Sequence, residues 1–225
     1  MTKLPVEARL SATVVLLRDT EHGLETLLLR RNPKLAFAAG SWVFPGGAVD
    51  RIELESAPTE RRATEIAAVR EVQEECGVIV SDDALVHFCN WTTPETEKKR
   101  FTTWFFVAHV KNPDVEIIID NGEIHEYQWL RPEQALALHG QDELRLMPPA
   151  FLSLMLISHY QTAEAACQSL AQREPFSVTP KLSKASGQMA ALYPGDAEYE
   201  TGQLSPDGPQ HRTVFSDQGM KYIHS

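Results

Sequence analysis

Cysteine is scarce in this chain: Cys76, Cys89 and Cys167 are the three among 225 residues, scattered without paired spacing. That excludes a disulfide framework and a thiolate metal cage, and it fits a reducing compartment. Long apolar runs are also missing. Ala12 to Leu17 and Pro149 to Ile157 are both too short to span a bilayer, and no secretory cleavage pattern follows the first. The reading is a cytoplasmic chain without a membrane partner. Basic charge is in deficit as well: 21 Lys and Arg stand against 31 Asp and Glu, a formal charge of −10. Nucleic acid is therefore not an expected partner, because it is usually met by a basic face. A small anionic substrate remains open, since a bound cation inverts the local sign. The eight histidines show no paired metal spacing.

What is present reads as an ordinary soluble composition, 43% hydrophobic and 23% charged, enough for one sizeable core and some extra chain. Ala12 to Arg18 and Leu24 to Arg30 predict a strand pair turning at Glu21-His22-Gly23. Trp42 to Phe44 predicts a short strand that stops at Pro45-Gly46-Gly47. Asp50 to Pro58 shows no usable period and reads as loop. Thr59 to Cys76 is the clearest helix, with Thr59 as N-cap, a buried stripe at Ile66, Val69, Val72 and Cys76, and Gly77 as its stop. Strands are expected at Leu85 to Trp91, Phe101 to Val110, Val115 to Ile119 and His125 to Leu130. Helices are expected at Pro132 to Leu138 and Met147 to Ala166. No βαβ rhythm appears, so the expected fold is a mixed sheet with helices on both faces. From about Arg173, Pro, Gly, Ser and Asp become frequent. This tail reads as an arm packed on the domain or partly disordered.

The chemistry lies in Arg70-Glu71-Val72-Gln73-Glu74-Glu75-Cys76-Gly77-Val78. On a helix, Glu71, Glu74 and Glu75 project from overlapping parts of one face. Like charges at that spacing cost about 0.2–0.5 kcal/mol per pair. They also sit at the C-terminal end, where the helix dipole disfavours anions. A hard divalent cation, Mg²⁺ or Mn²⁺, would offset both penalties. Arg70 is placed to orient a neighbouring carboxylate. A solvated acidic face is the competing reading. Cys76 reads as core filling beside this face.

Phe44-Pro45-Gly46-Gly47 followed by the run from Arg70 to Val78 resembles the Nudix box, the signature of a superfamily of metal-dependent pyrophosphohydrolases. The family pattern runs from Gly through five residues to Glu, then through seven more to Arg. Here Gly47 and Arg70 are nine positions further apart than that. Counting back from Arg70, the first family Glu falls on Arg62, and neither Glu60 nor Glu65 is in register, so that Glu is not carried over. An insertion at this point resembles the peroxisomal-type coenzyme A diphosphatases and their bacterial relatives. So do Leu28-Leu29-Arg30-Arg31 with Phe37 and Trp42, Trp91-Thr92-Thr93-Pro94 with Arg100-Phe101, Met147-Pro148-Pro149-Ala150-Phe151, and Tyr193-Pro194-Gly195-Asp196 with His211-Arg212.

The resemblance implies an α/β (α+β) fold, a Nudix-like α/β/α sandwich with a mixed central sheet, over residues 8–172, followed by an extension over 173–225. It implies cleavage of a nucleoside diphosphate linked to another group, with CoA or an acyl-CoA giving 3′,5′-ADP and (acyl-)4′-phosphopantetheine. ADP-ribose, a dinucleotide or a damaged nucleotide would be cleaved by the same chemistry. A nucleotide-binding regulator that has lost catalysis is the reading from another class. Glu71, Glu74 and Glu75, with a carbonyl at Gly46 or Gly47, are the expected holders of Mg²⁺ or Mn²⁺. Glu71 or Glu123 is the expected base, with Glu126 as the alternative. Arg30, Arg31 and Arg100 are candidate phosphate contacts, His211-Arg212 a weaker one. Gly46 and Gly47 are expected to let the backbone approach the metal site, and Gly46 is also a candidate substrate contact. Trp91, Phe101 and Trp104 are either base-stacking groups or core. A homodimer is also implied.

Overall fold

The aliphatic run Val14-Val15-Leu16-Leu17 is buried on both sides, and the architecture follows from that. The structure, a computed structural model, describes residues 6–35, 38–185, 188–204, 207–217 and 219–225; Phe37 lies outside them. Strand β1 (Arg9–Thr20) turns into β2 (Gly23–Arg31), followed by β3 (Trp42–Val43) and β4 (Gly46–Ala48). Helices α1 (Arg51–Ser56) and α2 (Glu60–Cys76) come next, then β5 (Val86–Thr92), β6 (Phe101–His109) and β7 (Ile124–Leu130). Helices α3 (Pro132–Gly140), α4 (Pro148–Ile157) and α5 (Ala163–Ala171) lead to β8 (Phe176–Val178), β9 (Lys181–Ala185), β10 (Gln188–Leu192), β11 (His211–Ser216) and β12 (Gly219–His224).

The main sheet has the order β3-β2-β1-β6-β5-β8, with β4 also paired to β1 and β7 to β2. The β1–β6 and β5–β8 pairs are parallel and the others antiparallel, so the sheet is mixed as expected. Alternate residues of β1 enter separate cores. Ala12, Val14 and Leu16 pack with Ala63, Ala67, Ala68, Val72 and Cys76 of α2. Val15 and Leu17 pack with Leu154 and Ile157 of α4 and Ala163, Ala166 and Leu170 of α5. A strand covered on both faces has no polar side to show, which is why its sequence does not alternate.

Helix α2 begins where expected. Thr59 accepts the N–H of Arg62, and Gly77 closes the helix at φ 72°. The buried seam is set by alanines more than by the expected stripe, and Ile66 and Val69 are only half-buried. Small side chains let the helix lie close on the sheet.

Four local expectations need correction. Arg51–Ser56 is a helix, opened by a capping box between Asp50 and Glu53; six residues are too few to display a period. The chain does not leave the sheet at Pro45-Gly46-Gly47, since Gly46–Ala48 pairs with Ser11–Thr13 of β1. Val115 to Ile119 joins no strand; Val115, Ile117 and Ile119 pack on the α2-side core and the Ile118 N–H donates to the Cys76 carbonyl. Met147 to Ala166 is not one helix. It breaks before Thr162, whose side chain caps α5, and Asp19 Oδ1 accepts the Ala163 N–H at 2.8 Å.

In the tail, β8 joins the main sheet and β9 to β12 form a four-stranded antiparallel sheet. Ala191 and Tyr193 are buried in the same core as Trp91 and Phe151. His139 of α3 accepts the Met220 N–H through Nε2 at 3.1 Å. Among the described residues, no helix is long and apolar enough to cross a membrane.

Candidate active site

Two glycines bring backbone against carboxylates. Gly46 pairs with Thr13 and Gly47 with Ala12. A Cβ at Gly46 would stand 2.3 Å from the Ala12 carbonyl oxygen, and one at Gly47 2.3 Å from Glu71 Oε1. Gly46 faces backbone and has no room for a side chain, whereas a Cβ at Gly47 would displace the Glu71 carboxylate. The approach lets the Gly46 N–H donate to Glu75 Oε2 at 2.9 Å.

Arg70 organises the remaining carboxylates. Its Nη1 donates to Glu71 Oε1 at 2.7 Å and to Glu74 Oε2 at 3.0 Å. Its other edge is held by Glu53, with Nε donating to Oε1 at 2.9 Å, and by the Ala48 carbonyl at 3.1 Å. Glu53 is buried and also accepts the Asp50 N–H at 2.6 Å. The guanidinium is thus fixed on both sides, and Glu71 and Glu74 inherit its position.

Glu53 is not among the residues expected from the sequence. The signal was there: counting forward from Gly47 through five residues arrives at Glu53. Arg70 then follows by 17 positions where the pattern has eight, so the insertion falls after this Glu. Counting back from Arg70 crossed the insertion and landed on Arg62. That residue instead pairs with Glu65 and Asp82.

Burial pushes the Glu75 carboxyl up to about 8, helped by repulsion from Glu71 and Glu123 and opposed by the Gly46 N–H and Arg31. Burial also raises Glu71, with Arg70 working against it and Glu74 and Glu123 with it. Glu71 and Glu75 are thus the poorly solvated pair, and the more exposed Glu74 and Glu123 add repulsion from the solvent side. Cys76 is pushed up to about 12 by burial and donates to the Val72 carbonyl, so it is packing and not a nucleophile.

A cavity of about 650 Å³ opens over these groups. Glu71, Glu74, Glu75, Glu123, Asp120 and Arg31 line it, as do Trp91, Phe101, Phe105, Met147 and Pro149. Strand register gives its length. Ala48 pairs with Ser11, Ser11 with Thr103, and Thr103 with Trp91. Three strand spacings separate the glycine strand from Trp91, about 14 Å. The Ser11 and Thr103 hydroxyls hydrogen-bond at 2.7 Å on that floor. The cavity thus has an anionic end and an aromatic end.

The structure sorts the remaining candidates. Glu123 lines the cavity and pairs with Arg31 Nη2 at 3.1 Å, while Arg31 Nε is buried without an acceptor. Asp120, not singled out in the sequence, shapes this loop. Its carboxylate accepts the N–H groups of Gly122, Glu123 and Ile124 at 3.1, 2.8 and 2.9 Å. Arg30 and Glu126 pair with each other at 2.9 Å and do not line the cavity. Arg100 is spent on the Thr93 and Val6 carbonyls. Trp104 stacks on His87 at 4.3 Å, away from the cavity. Arg212 is buried in a two-pronged pair with Asp196, and His211 Nδ1 bonds the Pro194 carbonyl; neither lines the cavity.

Oxygen donors of this kind suit a hard divalent cation. Among the described residues, no three acidic, histidine or cysteine side chains already form a closed metal cage. Glu71 and Glu74 turn to Arg70, and Glu75 to the Gly46 N–H. The donor set fits a cation in chemistry: several carboxylates, two of them raised by burial, sit beside a glycine strand whose missing side chain leaves Glu71 its space.

Fold and relatives together define a hydrolase of phosphorus-containing anhydrides. A model of the NUDIX domain matches residues 8–150, and the chain belongs to the Nudix hydrolase family, whose members generally use divalent metal ions. It is similar to the putative nudix hydrolase 7 of Caenorhabditis elegans, 24% identical across 94% of this chain and 86% of that protein. It is similar over a shorter stretch to the acyl-coenzyme A diphosphatase NUDT19 of Xenopus laevis, 30% identical across 34% of this chain and 21% of that protein. Among solved structures, a Nudix hydrolase from Alicyclobacillus acidocaldarius superimposes with a TM-score of 0.65 at 22% identity, covering 75% of this chain and 99% of that one.

Proposed function

We propose that this chain hydrolyses the diphosphate of coenzyme A or an acyl-CoA, giving 3′,5′-ADP and (acyl-)4′-phosphopantetheine. The observation that carries this reading is the two-ended cavity, with Glu71, Glu74 and Glu75 beside the glycine strand at one end and Trp91 at the other, three strand spacings or about 14 Å from that glycine strand. A diphosphate at the first end leaves a long arm to lie along the sheet. The partial match to an acyl-coenzyme A diphosphatase supports the same substrate class.

In this reading Glu71, Glu74 and Glu75, with the Gly47 carbonyl, hold Mg²⁺ or Mn²⁺. Such a cation, when bound, neutralises phosphate charge and acidifies water. Arg70, braced by Glu53, keeps Glu71 and Glu74 aimed at the cavity. Glu123 takes a proton from the attacking water, a role worth about 10²–10⁴-fold in rate. Arg31 beside it meets a phosphate oxygen. The water oxygen bonds to one phosphorus, and the bridging oxygen leaves with the other phosphate.

The test is incubation of purified protein with CoA and Mg²⁺ or Mn²⁺, with products read by mass. The expected products are 3′,5′-ADP and 4′-phosphopantetheine, and Glu74→Gln lowers turnover by orders of magnitude with an unchanged circular dichroism spectrum. AMP from ADP-ribose with CoA left intact would overturn the substrate. Nucleotide binding by calorimetry without turnover of any diphosphate would overturn catalysis.

A further inference from the structure

The family match ends at residue 150, yet the aromatic end of the cavity is braced from beyond it. Tyr193 directly follows β10 in the C-terminal sheet and is fully buried. Its ring stands edge-on to Trp91, with centroids 5.7 Å apart at 71°. Tyr193 does not line the cavity; Trp91 does.

Tyr193 is itself held from several sides. Its hydroxyl donates to Thr213 Oγ1 at 2.8 Å and its N–H to the His211 carbonyl at 2.9 Å. The rings of His211 and Tyr222 lie 5.2 and 6.4 Å from its own. Trp91 is fixed in backbone register by Thr103 on one side and Val178 on the other. Backbone pairing does not fix the indole's rotamer, however, and an edge-to-face neighbour does. Trp91 is 8% exposed and Phe105 6%, so neither offers an open ring face to a planar base. With Met147 and Pro149 they form an apolar wall suited to a flexible chain.

We propose that Tyr193 is a positioning residue which, through Trp91, fixes the apolar end of the cavity and sets selectivity for substrates carrying a long apolar arm. The inference rests on the CoA-type reading of the substrate. It gives the C-terminal sheet a part in specificity although none of its described residues lines the cavity.

The experiment is steady-state kinetics on the full chain with Mg²⁺, using an acyl-CoA as substrate and 3′,5′-ADP, which lacks the arm, as competitive inhibitor. Tyr193→Leu is expected to raise KM for the acyl-CoA roughly three- to tenfold, the scale of one aromatic contact. Its kcat and the inhibition constant of 3′,5′-ADP stay as in the native protein. Tyr193→Phe keeps the ring and restores the native KM. Trp91→Leu reproduces the change, and the double variant is no worse than either single one, because both remove the same interaction. An unchanged KM in folded Tyr193→Leu overturns the proposal, as does equal weakening of acyl-CoA and 3′,5′-ADP. If Tyr193→Leu does not fold, Trp91→Leu decides: an unchanged KM for acyl-CoA overturns the proposal. Failure of the native chain to cleave any acyl-CoA overturns the substrate reading and the proposal with it. Cleavage with Tyr193 indifferent overturns the proposal alone.

Discussion

Gly47 shows how one missing side chain can govern a site. Its backbone tolerates alanine, and the obstacle is the Glu71 carboxylate 2.3 Å from where a Cβ would stand. That carboxylate is the far end of a flexible side chain, so it swings aside at little cost to the fold. Gly47→Ala is therefore expected to melt within a few degrees of the native protein while kcat falls at least tenfold, since an ångström of misplacement is enough. Native kcat in this variant would mean that the Glu71 position is not critical. Glu75 gives a second prediction. Its carboxyl ordinarily titrates near 4.5, and burial raises it to about 8 in the folded chain. The folded state holds the proton more tightly, so in metal-free protein the stability from this site is full below about 4.5 and is lost as pH rises toward about 8. Glu75→Gln removes that loss. In EDTA, melting temperatures measured across this window should fall more steeply for the native chain than for the variant; parallel curves would show that Glu75 is not the group responsible.

At the scale of the element, α2 was the most legible part of the chain. Its cap at Thr59, its stop at Gly77 and its three carboxylates are all local in sequence. Helix α1 was too short to show a period; Glu53 within it is reached by counting forward from Gly47, but its bond to Arg70, 17 positions on, is visible only in the fold. The loop before β11 makes another long-range bond. The Asp196 side chain is fully buried, and its two oxygens take Arg212 Nε and Nη2, each at 2.7 Å. Burial acts to raise its carboxyl, but Arg212 and the N–H groups of Glu198 and His211 prevail and hold it below its usual range. Its contribution is thus present above the ordinary 3.8 and lost as pH falls through the lower folded value. Asp196→Asn replaces the carboxylate that Arg212 Nε and Nη2 grip by a neutral amide and is expected to cost about 3–5 kcal/mol. Urea unfolding near neutral pH measures it; a loss under 1 kcal/mol would mean the pair contributes little.

At the scale of the whole molecule, the sequence by itself determined the helix that carries Glu71, Glu74 and Glu75, the glycine pair before it, and a mixed sheet flanked by helices. These depend on neighbours in the chain: spacing on a helix, glycine's lack of a side chain, and runs of aliphatic residues. Only the tertiary structure decided which candidates share a cavity. It brought Arg31 to the cavity and paired Arg30 with Glu126, and it brought Glu123 in while leaving Glu126 out. It put Trp91 at the cavity's end and sent Trp104 to stack on His87. The physical reason is strand register, with the bulge at Arg30/Arg31 and the turn that Asp120 holds at Glu123. Neighbouring residues on a strand face opposite sides, so a residue's surroundings depend on register with strands far away in sequence. The same holds for Tyr193, whose contact with Trp91 spans about a hundred positions and exists only because the C-terminal sheet folds back onto the first core.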